Sequence, residues 1–214
     1  MVSGRRLRPR SGGGAVFALR SRRLVLRPLQ AGDYEAWREV RSRCRSWLLP
    51  WEPRAGSMSY PGEDRATYNL RCSARDREWQ EGSGFALGIF TADEQRLIGE
   101  VSLSSIHRGP FQSGFVGYWI DQLCAGNGYA PEAAAAVFAF AFEQLGLHRV
   151  EVAIVPRNRP SRRVAEKLSL RNEGVAAGYL EIDGRWEDHI RYAITVDEWF
   201  ARRSQYAGEW LGEL

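Results

Sequence analysis

The chain has 214 residues, a formal net charge of +4, 44% hydrophobic residues, eight Trp, eight Tyr and nine Phe. That length and apolar content describe one domain with a sizeable buried core and exclude a disordered chain. Cys44, Cys72 and Cys124 are odd in number, far apart and never in a C-x-x-C pair, which suggests neither a disulfide framework nor a zinc site.

The longest apolar run, Ala133 to Phe142, is too short to span a bilayer, and no cationic start leads into an apolar export segment. The expectation is a cytoplasmic protein with no membrane partner and no metal. Charge is unevenly spread. Arg5, Arg6, Arg8, Arg10, Arg20, Arg22, Arg23 and Arg27 all precede the first acid, Asp33, which leaves the remainder at −4. A basic arm of this kind suits a weak RNA contact or a solvated tail.

Residues 1–16 lack hydrophobic periodicity and contain a Ser-Gly-Gly-Gly stretch, so they read as a flexible extension. Leu24 to Leu29 reads as a strand that Pro28 helps to end. Asp33 stands where it could cap a helix carrying Tyr34, Trp37 and Val40 at helical spacing. Pro50 to Pro61 reads as loop, and Asp64 to Gln80 as a second helix with many charges.

Phe85 to Phe90, Leu97 to Ile106 and Gly114 to Ile120 then read as three strands of an antiparallel meander. Pro131 to Leu145 is apolar nearly all round, with Pro131 in its first turn and Gly146 at its end, and predicts a helix buried on several faces. Arg149 to Val155 is a further strand and Arg162 to Leu170 a further helix. Tyr179 to Ile182 and Arg185 to Ile194 form a hairpin around Asp183-Gly184, a dipeptide suited to the positive φ angles of a tight turn.

The chemically informative segment is a strand, a glycine-containing loop and a helix: Tyr118, Trp119 and Ile120, then Gly126, Asn127 and Gly128, then Tyr129, Ala130 and Pro131. Unpaired N–H groups at a helix N-terminus, with the positive end of its dipole, make a cradle for a diphosphate. Pro131 occupies the last position of a G-x-G-x-x-G/A dinucleotide fingerprint, and no Gly-Lys-Ser/Thr follows, so neither familiar nucleotide motif is present.

Leu24-Val25-Leu26-Arg27-Pro28-Leu29, the Gly126 to Ala133 segment, and Asn158-x-x-Ser161-x-x-Val164-Ala165-Glu166-Lys167-Leu168 occur together in a recognisable order and spacing. The chain thereby resembles the GNAT acetyltransferases. Its closing stretch, Tyr179 to His189, is similar to the branch of ribosomal-protein-alanine acetyltransferases, the RimJ- and RimL-like enzymes. The resemblance covers about Leu24 to Thr195.

It implies an α/β fold of mixed α+β type: a mostly antiparallel central sheet, flanked by helices, with one splayed parallel strand pair, here Gly114 to Ile120 and Arg149 to Val155. The implied boundaries are a domain over 17–197 and a C-terminal helical extension over 198–214. Acetyl-CoA would lie in the splay, its pantetheine paired with the backbone of Tyr118 to Ile120, its diphosphate on the Gly126 to Pro131 loop, and Asn158 on the pantetheine arm. The implied acceptor is a protein N-terminus, most naturally that of a ribosomal protein. A small-molecule amine, another acyl-CoA, or CoA or ribosome binding without catalysis are the alternatives. Nothing in the sequence speaks to oligomeric state.

Two site residues follow from the resemblance. Many family members carry a Tyr four residues after the Ser161 position, as acid for the leaving thiolate, whereas this chain has Ala165. Ser161 matches the serine given that role in RimL-like relatives, and it could equally cap the helix after Pro160. Glu181 matches the carboxylate assigned as base, with Glu100, Glu187 and Asp188 as rivals. His107, His148 and His189 are scattered and receive no catalytic role, while Trp47, Trp51 and Tyr60 suit either the acceptor cleft or the core. Cys124 has no base beside it in sequence and is not expected to act as a nucleophile.

Overall fold

The computed structural model describes residues 17–52, 64–93 and 96–212. The basic extension, Tyr60 and most of the Pro-rich loop lie outside the described residues.

Alternating apolar residues assemble an eight-stranded sheet. Its strands are β1 (Leu19–Arg20), β2 (Leu24–Arg27), β3 (Phe85–Thr91), β4 (Leu97–His107), β5 (Ser113–Ile120), β6 (Arg149–Ile154), β7 (Arg171–Ile182) and β8 (Arg185–Thr195), in spatial order β1-β2-β3-β4-β5-β6-β8-β7. Every neighbouring pair is antiparallel except β5 with β6. The fold is thus the mixed, mostly antiparallel α/β architecture that the resemblance implies.

The α-helices are α1 (Tyr34–Arg43), α2 (Arg45–Leu48), α3 (Arg65–Glu81), α4 (Tyr129–Ala139), α5 (Arg159–Lys167) and α6 (Val196–Tyr206). In α1 the stripe of Tyr34, Trp37 and Val40 is buried as its spacing predicts. Asp33 stands at the cap position, but its carboxylate is engaged elsewhere: it accepts from both ends of the Arg27 guanidinium at 2.8 and 2.9 Å and from the Gln30 N–H at 2.7 Å. Asp64, by contrast, caps α3 by accepting from the Thr67 N–H at 2.9 Å.

Helix α4 is buried from Ala133 through Phe138, so it runs through the core, and continues into a wider turn closed by Leu145 N–H donating to Phe140 O at 3.0 Å. Helix α5 starts three residues before the Arg162 expected from sequence. The physical reason is that Asn158 is the cap: its Oδ1 accepts from the Ser161 N–H at 3.2 Å, so Ser161 sits inside the first turn and does not cap it. Helix α6 opens on a reciprocal cap between Thr195 and Glu198, and Trp199 and Tyr206 bury it against the main core.

Strand β7 is longer than expected, beginning at Arg171, with register shifts where it pairs with β8. Its first five residues are exposed, so no buried stripe marks them as a strand. The turn to β8 falls at Asp183-Gly184, both at positive φ (48° and 80°).

Strands β5 and β6 are paired only at Ser113 with Arg149, Gly114 with Val150 and Phe115 with Glu151. From there β5 follows β4 to Ile120, and β6 follows β8 to Ile154. The sheet therefore opens into a V.

Gly99 on β4 lies at the mouth of that V, opposite Ile120, where an added Cβ would stand 2.3 Å from the Trp119 carbonyl oxygen. A contact that short with backbone forces the two strands apart. Gly99→Ala is expected to lower unfolding stability by about 2 kcal/mol, as overpacking of a tight site typically does, measured by denaturant titration with circular dichroism.

Candidate active site

The V is the mouth of a cleft of about 1090 Å³. Gly117, Tyr118, Trp119 and Ile120 form one wall and Val152, Ala153, Ile154 and Val155 the other, so both walls are strand backbone beyond the last β5–β6 pair. An extended ligand bearing amides could pair with these edges as an added strand would.

Gly126, Gly128, Tyr129, Ala130 and Pro131 line the same cleft. Gly128 caps α4 with φ of 80°, and an added Cβ there would stand 3.4 Å from Arg23 Nη2 and 3.6 Å from the Trp210 ring. Asn127 is not in the cleft wall. Its side-chain amide donates to Cys124 O at 3.2 Å, and its carbonyl accepts from Arg23 Nη1 at 3.0 Å, so it shapes the loop from behind.

Two buried carboxylates hold this loop. Glu132 in α4, 1% exposed, accepts from the Ser21 hydroxyl at 2.8 Å, the Arg23 N–H at 2.7 Å and Arg23 Nε at 2.7 Å. The Arg23 guanidinium also stacks 4.6 Å over the Tyr129 ring. Asp121, at the other flank, is fully buried and accepts from Arg43 Nη2 at 2.7 Å and the Leu123 N–H at 3.1 Å. Burial alone would raise the Asp121 carboxyl, but Arg43, the Leu123 N–H and the Cys44 thiol hold it below its ordinary value. Sequence reading misses both. An acid inside the otherwise apolar α4 is the signal that marks Glu132.

Asn158, Pro160 and Ser161 also line the cleft. The Ser161 hydroxyl lies 3.1 Å from the Tyr118 hydroxyl, which is also 3.3 Å from Ser161 O. Ala165, one turn on, is fully buried beneath them. Burial pushes the Tyr118 phenol well above its ordinary value, against the pull of Ser161, so it is a neutral hydroxyl at physiological pH.

Trp47, Leu48, Pro50, Trp51, Leu180 and Ile182 line the cleft as well. Arg157 ties this rim together: its guanidinium lies 4.8 Å over the Trp51 ring and donates to Pro50 O at 3.4 Å and Glu187 at 2.6 Å. Asp183 N–H donates to Glu52 O at 3.2 Å, joining the β7–β8 turn to the segment after α2.

Glu181 stands between Leu180 and Ile182. Those two border the cleft, and alternation along β7 puts Glu181, half-buried, on the face opposite them, paired in register with exposed Trp186. Asp188 accepts from the Gly178 N–H and Glu187 from Arg157. Glu100 does border the cleft, yet its two oxygens are taken by Trp37 Nε1 at 2.8 Å and Arg71 Nη2 at 2.5 Å. The residue that sequence reading passes over is His189. It is 2% exposed, borders the cleft, and has Nδ1 at 3.0 Å from Glu187 O. A carbonyl only accepts, so Nδ1 is the donor in this contact, and in the neutral ring the acceptor is Nε2.

Cys124 also borders the cleft, with Arg96 Nη2 at 2.9 Å from its sulfur. Burial pushes its thiol up, which opposes a nucleophilic role. Among the described residues no group of three or more His, Cys, Asp or Glu could hold a metal, and no helix is long and apolar enough to cross a membrane.

The GNAT acetyltransferase domain model matches residues 23–171. The chain belongs to that family. It is 34% identical over 180 residues to the [Ribosomal protein uS5]-alanine N-acetyltransferase of Escherichia coli (strain K12), covering 83% of this chain and 90% of the relative. It is 35% identical over 176 residues to the probable N-acetyltransferase YjcK of Bacillus subtilis (strain 168), covering 82% and 96%. Among solved structures, Mycobacterium smegmatis RimJ in complex with CoA-disulfide superposes with a TM-score of 0.80 at 32% identity, covering 91% of this chain and 96% of that one. The protein is an N-acetyltransferase with acetyl-CoA as co-substrate, and the strand edges and helix start just described suit that donor.

Two outcomes are expected. Gly128→Val combines a strained positive φ with a side chain pressed on Arg23 and should weaken CoA binding at least tenfold by calorimetry. Asp121 has a lowered folded value, so its contribution to stability is present at neutral pH and is lost as pH falls below about 4. The melting temperature of wild type should therefore exceed that of Asp121→Asn near pH 7, and the gap should narrow in acid.

Proposed function

We propose that the protein acetylates the N-terminal α-amine of a ribosomal protein. The observation that carries this reading is an aromatic and aliphatic lining, Trp47, Trp51, Leu180 and Ile182, in the same cleft as the strand edges that suit the donor. The likeness to enzymes named for ribosomal-protein alanine supports it. A basic N-terminal arm, outside the described residues, would add a weak contact to RNA.

The reaction is direct attack in a ternary complex. The amine nitrogen bonds to the thioester carbonyl carbon, the C–S bond breaks, and its electron pair leaves on sulfur. Backbone of Tyr118, Trp119 and Ile120 positions the pantetheine, the Gly126 to Pro131 segment takes the diphosphate, and Asn158 offers its amide nitrogen. A backbone N–H near Ile120 holds the oxyanion, and Ser161 serves the sulfur.

An N-terminal amine has an ordinary pKa of about 8, so one nearby acceptor suffices to take its proton. Resemblance puts Glu181 in this role. Geometry favours His189, which borders the cleft with Nδ1 engaged by Glu187 O, whereas strand alternation puts Glu181 on the far face of β7.

The test is mass measurement of acetylation on peptides with free N-termini, peptides with blocked N-termini and internal Lys, and a panel of small amines. Peptides carrying the free N-terminal sequences of ribosomal proteins should be preferred; preference for Lys or small amines would overturn the reading. His189→Gln should lower kcat by roughly a hundredfold or more with CoA affinity retained, and Glu181→Gln by much less. The reverse ranking returns the base to Glu181.

A further inference from the structure

We propose that the Tyr118 hydroxyl is a positioning group for the leaving-sulfur side of the reaction: it donates to Ser161 Oγ and so aims the Ser161 proton at the departing sulfur. The inference rests on the acetyl-transfer reading above and deepens it.

The geometry begins with a gap in the sequence. Helix α5 carries Ala165, fully buried, where a tyrosine would supply an acid. The hydroxyl in this part of the cleft arrives from the opposite wall instead. Tyr118 extends from β5 across the splay to the first turn of α5, and its oxygen lies 3.1 Å from Ser161 Oγ and 3.3 Å from Ser161 O. Both residues border the cleft, and the contact spans the region where β5 and β6 have ceased to pair.

A serine hydroxyl left to itself turns its one proton among several acceptors. A carbonyl only accepts, so Tyr118 is the donor toward Ser161 O at 3.3 Å, and its single proton is shared with the nearer Oγ at 3.1 Å. With the phenolic proton directed at Oγ, the serine proton cannot point back along the same line and is free for the cleft. As the C–S bond breaks and its electron pair moves to sulfur, Ser161 O–H donates to the new charge. Proton transfer from Tyr118 is unnecessary. The sulfur takes its final proton from water on release, and the amine proton leaves through the base. A hydrogen bond present before reaction costs no reorganisation during it.

The contact to Ser161 O supplies the discriminating experiment, since it survives removal of the serine side chain. If Tyr118 merely braced the two walls, Tyr118→Phe would cost the same whether or not the Ser161 hydroxyl is present. If it acts through that hydroxyl, the cost disappears with it.

Wild type, Tyr118→Phe, Ser161→Ala, the double variant and Ser161→Thr are compared for kcat on a peptide that wild type acetylates, with CoA affinity by calorimetry and melting temperature as checks on folding. Tyr118→Phe should lower kcat roughly tenfold, the worth of about one hydrogen bond, with CoA affinity within twofold of wild type. In the Ser161→Ala background it should cost nothing further, and in Ser161→Thr, which restores a hydroxyl, the cost should return. Equal losses in the serine and alanine backgrounds, or a loss confined to CoA affinity, would overturn the inference. Should Tyr118→Phe fail to fold, Tyr118→difluorotyrosine keeps the hydroxyl while lowering its pKa. It should then introduce an alkaline loss of kcat, because a phenolate cannot donate, and a flat alkaline limb would overturn the inference. If wild type itself transfers no acetyl group to any amine, the functional reading fails, which is distinct from an active wild type with additive variants.

Discussion

Everything in this molecule turns on the point where β5 and β6 stop pairing. A parallel strand pair satisfies its backbone groups evenly for as long as it lasts, and here it lasts for three residue pairs. Beyond Phe115 and Glu151 each strand keeps its outer neighbour and loses its inner one. Backbone donors and acceptors left facing a cleft need partners. A donor molecule with amides along its length is suited to supply them, and the cleft is itself an interruption of the sheet.

An open V needs support, and the support is electrostatic behind it and apolar beneath it. Glu132 gathers three donors from the segment before β2, Asp121 gathers Arg43 and a loop N–H, and α4 fills the space below with small side chains. Buried carboxylates with several donors hold geometry because moving any one donor strands the charge. The Gly126 to Pro131 loop is clamped on both flanks by such a group, while the rim at Pro50 and Trp51 is joined by the contacts of Arg157 and the β7–β8 turn.

Much of this is legible in the residues. Period-two apolar runs locate β3, β4, β5 and β6, the Asp183-Gly184 pair locates its turn, and Gly126 and Gly128 locate the loop, because each is a local constraint. What stays hidden depends on register or on distant partners. Helix α5 starts earlier than its apolar spacing suggests because Asn158 is a better cap than Ser161, and β7 outruns its expected start because its first half has no buried stripe. The side chains that border the cleft from the hairpin are Leu180, Ile182 and His189. Which face of β7 Glu181 occupies is set by strand phase, which depends on pairing between distant residues. His189 escapes notice for the same reason: a lone histidine announces nothing until its neighbours are known.

Behind the Gly126 to Pro131 loop, segments far apart in the chain are joined. Arg22 N–H donates to Trp210 O and Arg22 Nη1 to Gly208 O, while the residue after it, Arg23, grips the loop through Asn127 O and Glu132, with the Trp210 ring beside Gly128. The first strands and the turn after α6 thus meet there. A nascent chain emerging from the ribosome has β1 to β8 before it has Trp210. The backing of the loop is completed only when the residues beyond α6 arrive, after all eight strands have been made.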